Sequence, residues 1–568
     1  MNTTNPQSSA NAVETPASEA REHDLTDFIS NLERSYEEIV NATLGTGMPA
    51  SEQIVAYELA MGKADLYAAK SLYQYAKRFG RNITDKSPTG LAGNLEVSLG
   101  LIGCVQVSFE LKTRLEKVCL TTGISPENLH RVFADPALPK IAKSSDIEEL
   151  GKLIVAQQSY GQTELDEEQQ IIADSFHRFA EEIVAPLAEK IHREDLLVPD
   201  EILDPMREMG CFGLSIPEQF GGHAPEDREN HMGMVIVTEE LSRGSLAAAG
   251  SLITRPEIMS KAILHGGTSE QREYWLPKIS SGEIMCGIAV TEPDAGSDVA
   301  QMRLKATRTD NGWLLNGAKT WSTFAGKAEL LLVLARTDED PASGHRGLNL
   351  FLVEKPSTDQ HSFVFVQDTD GKSAKGKIEG TAIPTMGYRG MHSFTLFFDD
   401  WFVPDNCLIG GNEAIGKGFY QTMTAFAGGR LQTAARANGL MRAAFKAAID
   451  YANDRKVFGV ALAEYQLTLA KLVKMAWLMR ACQEMTYEVA KLMDDKKGQV
   501  EASLVKLYAC RAAEYVTREC LQIHGGMGYS EETPASRYYV DARVLSIFEG
   551  AEETLALKVV AKNLIAAK

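Results

Sequence analysis

The feature that most restricts the fold is that apolar periodicity changes twice along the chain. From Leu25 onward Phe28, Ile29, Leu32, Tyr36, Ile39 and Val40 recur at helical spacing, with Thr26 placed to cap the first turn. Longer helical stretches follow at Ser51 to Arg78 and Leu91 to Thr121, then a shorter one at Pro126 to Phe133. A second helical block starts near Leu165, passes Phe176 to Ala188 and the turn Pro217-Glu218-Gln219-Phe220-Gly221-Gly222, and runs to Ile279. The period then drops to two. Leu304 to Arg308 and Trp313 to Asn316 flank the hairpin signal Asp310-Asn311-Gly312, and Leu330 to Ala335, Leu348 to Val353 and Phe394 to Phe398 read as further strands. Beyond Pro404 helical spacing returns, at Tyr420 to Asn453, Leu462 to Asp494, Val500 to His524 and Glu552 to Ala566.

The order is therefore α, then α-β-α, an α+β chain whose 568 residues exceed one compact core. The expected divisions are a flexible tail over 1–24, an extra helical domain over 25–145, and a linker over 146–164 with a short helix at Ser145 to Gln157. A helical domain over 165–285, a β domain over 286–405 and a helical bundle over 406–568 follow, with a long loop or extra hairpin at Ser357 to Thr385.

Charge narrows the partners: 58 Lys plus Arg against 77 Asp plus Glu leave a net −19, which argues against nucleic acid or an anionic membrane. The eight cysteines form no CxxC pair and have no His at zinc spacing, so no metal is expected and a reducing compartment suits them. The N-terminus lacks a basic start and an apolar core, and no 18-residue apolar run follows, so the expectation is a soluble, cytoplasmic protein.

Two short segments carry the chemistry. Cys286 to Asp298 runs from an apolar strand, Ile288 to Thr291, into Pro293-Asp294-Ala295-Gly296-Ser297, a turn able to aim N–H groups and hydroxyls at a phosphate or a flavin edge. The same residues also suit a plain tight turn. Near the C-terminus Glu549-Gly550 follows the apolar stretch Val544 to Phe548; Ile547 and Phe548 would partly desolvate the carboxylate, as a general base requires. It could equally be a helix-entry Glu favoured by the macrodipole.

Read together, the motifs from Leu165 to Lys568 resemble the acyl-CoA dehydrogenase family. The resemblance is carried by Glu218 to Gly222, Val290 to Pro293 with Ala295 to Asp298, Asn316-Gly317 with Lys319, Trp321 and Thr323, Arg455-Lys456 with Phe458-Gly459, Gln522 with Gly525, Gly526 and Gly528, and Phe548-Glu549-Gly550. It implies that family's fold, a helical domain, a β-barrel-like middle domain and a four-helix bundle, here preceded by an extra all-α domain, with FAD between the β domain and the bundle. It further implies that Val290 and Thr291 meet the pyrimidine side of the flavin, Ser297 the pyrophosphate, Trp321 one ring face and Thr323 the N5 edge. Arg455, Phe458, Gln522, Gly525 and Gly526 match positions that hold the adenosine half of a neighbouring subunit's FAD, which implies a homodimer or homotetramer. Electron-transferring flavoprotein is the implied electron acceptor.

Glu549 matches the family's base, taking the α-proton of an acyl-CoA as flavin N5 takes the β-hydride. Some branches place the base just before an arginine in the bundle; here that position is Gly429, before Arg430, and cannot supply a carboxylate. Ala551 and Glu553 depart from the commoner Thr and Gln. The helical extension, the insertion before Met386-Gly387-Tyr388-Arg389 and the Phe-Glu-Gly-Ala-Glu-Glu tail resemble one branch of that family, and this resemblance implies a short branched dicarboxylic substrate, methylsuccinyl-CoA oxidised to mesaconyl-CoA. Such a substrate needs a cation for its free carboxylate, and Arg255 is the candidate; Arg430 is a further candidate substrate residue, and Phe324 and Phe426 are candidate pocket walls. The alternatives are a short or branched monocarboxylic acyl-CoA, an oxidase, and a DNA-binding flavoprotein of the same fold, the last disfavoured by the acidic charge.

Overall fold

Helix α1 (Thr26–Thr43) forms where the first helical pattern lies and buries Phe28, Leu32, Tyr36 and Ile39. Its cap is Leu25, not Thr26: Thr26 is already helical, and its hydroxyl meets the Tyr73 hydroxyl at 2.6 Å. This computed structural model describes residues 25–44, 52–80, 94–226, 228–338, 340–367 and 376–566, so the expected tail over 1–24 lies outside the described residues. α2 (Gln53–Gly80) and α3 (Leu95–Thr122) pack along each other so closely that a Cβ on Gly100 would lie 2.7 Å from the Leu72 carbonyl oxygen. α3 starts on Asn94, whose side chain accepts from Val97 N at 2.8 Å, and stops at Gly123 in the left-handed region. α4 (Glu127–Val132) then brings Phe133 edge-on to Phe28.

The expected linker holds α5 (Ser144–Gln157), which is docked rather than free. Leu150 and Ile154 are buried, and a Cβ on Gly151 would stand 2.6 Å from Leu469 Cβ. The next block comprises α6 (Glu167–Phe179), a π turn at Ala180–Val184, α7 (Ala185–Arg193), α8 (Asp200–Glu208), α9 (His231–Gly244), α10 (Thr254–Gly266) and α11 (Ser269–Ser280). α9 and the first three turns of α10 are buried almost all round, as expected of central helices.

Strands β1 (Cys286–Ala289), β2 (Lys305–Arg308), β3 (Gly312–Thr323), β4 (Leu330–Arg336), β5 (Leu348–Glu354), β6 (Ser362–Val366), β7 (Lys377–Ala382) and β8 (Ser393–Pro404) form one sheet. Its order is β1-β4-β2-β3-β8-β7-β6, with β5 on β4. β2 and β3 pair antiparallel across the expected Asp310-Asn311-Gly312 turn. Ser357 to Thr385 holds the extra hairpin, β6 with β7, while its residues 368–375 lie outside the described residues. The first strand ends at Ala289, earlier than expected, so Val290 and Thr291 stand just beyond the sheet rather than in it.

The last block contains α12 (Gly418–Ala425), α13 (Ala427–Asp454), a two-stranded hairpin of β9 (Lys456–Val457) and β10 (Val460–Ala461), α14 (Gln466–Asp494), α15 (Gln499–His524), α16 (Gly526–Tyr529) and α17 (Ala535–Val544). The expected single helix from Tyr420 is two, broken at Phe426, and α17 falls between two of the expected helical segments. α9, α13, α14 and α15 form a bundle, and α2, α3 and α5 lie against its α14 and α15 face. At that junction Trp477 is 2% exposed, and a Cβ on Gly103 would fall 2.7 Å from it. Burying the ~200 Å² of an indole contributes up to about 5 kcal/mol, so the extension is anchored rather than tethered. Among the described residues no helix is long and apolar enough to cross a membrane.

Candidate active site

After α17 the chain turns through Leu545 to Phe548 into Glu549 and Gly550, with φ of 54° and 100°. A left-handed non-glycine residue costs roughly 1–2 kcal/mol, so neighbours must hold it. Lys506 of α15, itself buried, donates to the Phe548 carbonyl oxygen at 2.7 Å and to that of Gly550; Cys510 donates to the Leu545 carbonyl oxygen at 3.2 Å. Burial lowers the Lys506 pKa, and the two carbonyls replace part of the lost hydration.

The Glu549 side chain is 6% exposed. Its Oε1 lies 4.0 Å from Arg436 Nη2, while Oε2 is buried and has no hydrogen-bond partner among the described residues. Gly429 explains how it fits: a Cβ there would sit 2.8 Å from Glu549 Oε2. The residue that cannot be a base is the one that makes room for the carboxylate.

Cations crowd this carboxylate. Arg436 of α13 is fully buried, stacks over the Phe548 ring at 4.7 Å, and donates to Thr433 Oγ1 at 2.8 Å and Ser251 Oγ at 3.4 Å. Burial lowers its pKa, partly offset by Tyr388 and Glu549. Arg430 donates to Ser503 Oγ at 3.2 Å, and burial lowers its pKa against the pull of Glu549. Arg255 of α10, 5% exposed, reaches only the Ser251 carbonyl oxygen, at 3.5 Å, and makes no ion pair within 4.0 Å among the described residues. Arg436 and Arg430 both act on Glu549, while Arg255 lies close enough to Arg436 to help lower its pKa.

Tyr388 stands edge-on to Phe548 at 5.5 Å, with its backbone N–H donating to Asp541 at 2.6 Å and its buried hydroxyl without a hydrogen-bond partner among the described residues. Phe426 is half-buried at the α12–α13 break, two residues before Gly428. Phe324, 1% exposed with φ 67°, is a core ring whose N–H donates to the His392 carbonyl oxygen at 2.8 Å. Sequence reasoning missed Arg436, Lys506 and Asp541. For Arg436 the signal was a lone guanidinium among Ala434, Ala435 and Ala437, where a solvated face was not available.

The first motif folds around Glu292. Fully buried Lys319 donates to the Val290 carbonyl oxygen at 2.9 Å and to Glu292 at 2.8 Å, and Glu292 also accepts from Arg303 N at 2.7 Å and Leu304 N at 2.9 Å. Burial pulls the Lys319 ammonium down to about 8 despite Glu292. Val290 is buried, Thr291 half-buried, and Ser297 exposed at the tip, where its hydroxyl accepts from Thr554 Oγ1 at 3.2 Å. The two motifs, far apart in sequence, touch. On β3 a register irregularity between Lys319 and Ser322 carries Trp321, with φ 56°, out to 56% exposure. Thr323 stays buried and shares a 2.9 Å hydrogen bond with Ser393. An outward indole, a neighbouring hydroxyl, the Thr291 to Ser297 turn and a free carboxylate oxygen fit FAD. Of the ten non-glycine residues with positive φ among the described residues, four are Trp321, Phe324, Phe458 and Glu549, so backbone strain gathers at expected site positions.

The residues expected to hold adenosine lie elsewhere. Tyr451 stacks on His524 at 4.3 Å, bringing the ends of α13 and α15 together and gathering Arg455, Phe458, Gln522, Gly525 and Gly526. All five are exposed, Phe458 to 97%.

Three family models match consecutive parts of the chain: acyl-CoA dehydrogenase N-terminal domain over 166–283, middle domain over 287–401 and C-terminal domain over 416–565. A (2S)-methylsuccinyl-CoA dehydrogenase of Cereibacter sphaeroides is 42% identical over 409 residues, 72% of this chain and 71% of that protein. The mitochondrial short-chain specific acyl-CoA dehydrogenase of Homo sapiens is 31% identical over 407 residues, 72% of this chain and 92% of its own. The solved butyryl-CoA dehydrogenase of Megasphaera elsdenii superposes with a TM-score of 0.63 at 29% identity, covering 71% of this chain and 100% of that one. Helices α1 to α5 lie outside the three matched segments.

Proposed function

This chain belongs to the acyl-CoA dehydrogenase family, a flavin-dependent oxidoreductase of acyl-CoA thioesters, and from that premise we propose that it converts (2S)-methylsuccinyl-CoA to mesaconyl-CoA with Glu549 as the base. The observation that supports the substrate is Arg255, buried beside Arg436 and without a carboxylate partner among the described residues. A buried guanidinium without a counter-ion is costly, and a planar guanidinium pairs well with a carboxylate. The free carboxylate of methylsuccinyl-CoA supplies that partner. A butyryl chain would leave Arg255 facing methylene groups.

Glu549 Oε2, the buried oxygen with no partner, takes the α-proton. The Glu549 backbone N–H donates to no backbone carbonyl among the described residues, so it can polarise the thioester carbonyl as the enolate develops. Bound FAD supplies the acceptor for the β-hydride. Val290, Thr291, Ser297, Trp321 and Thr323 would hold its flavin end and pyrophosphate. Arg455, Phe458, Gln522, Gly525 and Gly526 would hold the adenosine of a second subunit, making the active protein a homodimer or a homotetramer, with electron-transferring flavoprotein as its oxidant.

The test is anaerobic bleaching and steady-state turnover with methylsuccinyl-, butyryl- and isobutyryl-CoA, for wild type and Arg255→Met. Methylsuccinyl-CoA should give the highest kcat/KM, and Arg255→Met should lower it about 100-fold, while changing the butyryl-CoA value severalfold or less. Equal or better turnover of the plain acyl-CoAs by wild type would sink the dicarboxylate reading.

A further inference from the structure

The N-terminal extension ends up against the segment that carries the candidate base. Helix α2 packs along Leu555–Ala561, the π turn that follows Glu549. At its leading end Tyr57 donates its hydroxyl to Glu552, three residues past Glu549. Arg511 of α15 grips both Glu552 oxygens at 2.8 Å and donates to Tyr57 Oη at 2.6 Å, with its guanidinium over the Tyr57 ring. Glu552 is 14% exposed. Burial would raise its pKa, but the bonds from Arg511 and Tyr57 hold it below the usual carboxylate range, so it stays an acceptor.

The loop being gripped is under strain at Glu549, a non-glycine residue held left-handed at φ 54°. Lys506 secures its upstream half through Phe548 and Gly550; Glu552 secures its downstream half, helped by the Glu552 N–H donating to the Ser546 carbonyl oxygen at 3.2 Å. Two residues further on Thr554 reaches the Ser297 turn. Extension, bundle and β domain therefore meet on residues 546–561.

We infer that Tyr57 of the extension is a positioning residue for proton abstraction, acting through Glu552 and Arg511 to fix the Glu549 loop. This rests on Glu549 being the base. The extension then has a part in turnover besides adding buried surface, and its hydroxyl matters beyond its ring.

The experiment uses the full-length holoprotein with Tyr57→Phe, Glu552→Gln and the double variant. Wild type is first checked for flavin bleaching by its best acyl-CoA; if no acyl-CoA bleaches it, the dehydrogenase reading fails, separately from the clamp. Tyr57→Phe should lower kcat about tenfold with KM within about twofold, and raise the α-deuterium isotope effect, because a misplaced base slows proton removal in particular. The double variant should be little worse than the worse single one, as expected for residues acting through one network. A fall in Tm with kcat and the isotope effect unchanged, or losses that add independently, would overturn the inference. Tyr57→Phe keeps the ring in place, so a folding failure is not expected.

Discussion

The Glu549 loop and the Arg455–Phe458 corner each hold one non-glycine residue in the left-handed region, Glu549 and Phe458, and are assigned to one reaction, yet they differ in who completes them. Around Glu549 a single chain supplies Lys506, Arg436, Phe548, Tyr388 and Gly429, with the carboxylate 6% exposed. At the corner Phe458 is 97% exposed with φ 50°, and a Cβ on Gly525 or Gly526 would meet nothing within 4 Å. An exposed aromatic of ~150–200 Å² forgoes roughly 4–5 kcal/mol of burial, besides the strain. A position that retains both costs is explained by a surface that arrives from outside, and the proposed second subunit with its FAD is that surface.

Removing the base tests the closed region most severely. Glu549→Gln should retain flavin and assembly while kcat falls about 10³-fold or more; turnover within tenfold of wild type would remove Glu549 from the mechanism. The open region is tested by Phe458→Ala, for which gel filtration and flavin absorbance should show FAD loss of about tenfold or more and weakened assembly, with near-normal turnover per bound flavin. Full flavin and unchanged assembly would leave the exposed ring unexplained and break the contrast.

Two glycines sharpen the same comparison with a single methyl group each. In Gly429→Ala the new Cβ meets Glu549 Oε2 at 2.8 Å, so the carboxylate must shift, and kcat should drop about tenfold with FAD retained. In Gly526→Ala the single chain offers open space, so any loss of FAD would have to come from a second copy. If Gly526→Ala is silent in both flavin content and turnover while Gly429→Ala is not, the corner does not pack closely on FAD.

Legibility follows the same division between local and distant causes. Helical and strand periods and the Asp310-Asn311-Gly312 turn are local, and the elements stand where those patterns are, within a few residues. The break at Phe426 and helix Ala535–Val544 are not, since what decides them is packing against other elements. Glu549 was visible because its motif is contiguous. Arg436, Lys506 and Tyr57 were not, because each acquires its role only when α13, α15 and α2 are brought against one short loop. Gly429 was read as a missing base and is also the space that admits the actual candidate.

The smallest expected effect lies beneath the closed region, at Asp541. It is 2% exposed, accepts from Tyr388 N at 2.6 Å, and so fixes the ring that backs Phe548. Burial raises its pKa from 3.8 to about 6, although Arg537 and the Tyr388 N–H pull the other way. The folded protein therefore holds this proton to higher pH than the unfolded chain does. The contribution to stability is full below about 4 and is lost as pH rises through about 6, by something on the order of 3 kcal/mol at most. Asp541→Asn carries no titrating proton, and its Oδ1 still accepts from Tyr388 N. The Tm of the variant relative to wild type should rise between pH 4.5 and pH 7.5, with groups common to both proteins cancelling in the difference. A constant difference across that range would mean that Asp541 is ionised throughout, and that Arg537 rather than burial sets its charge.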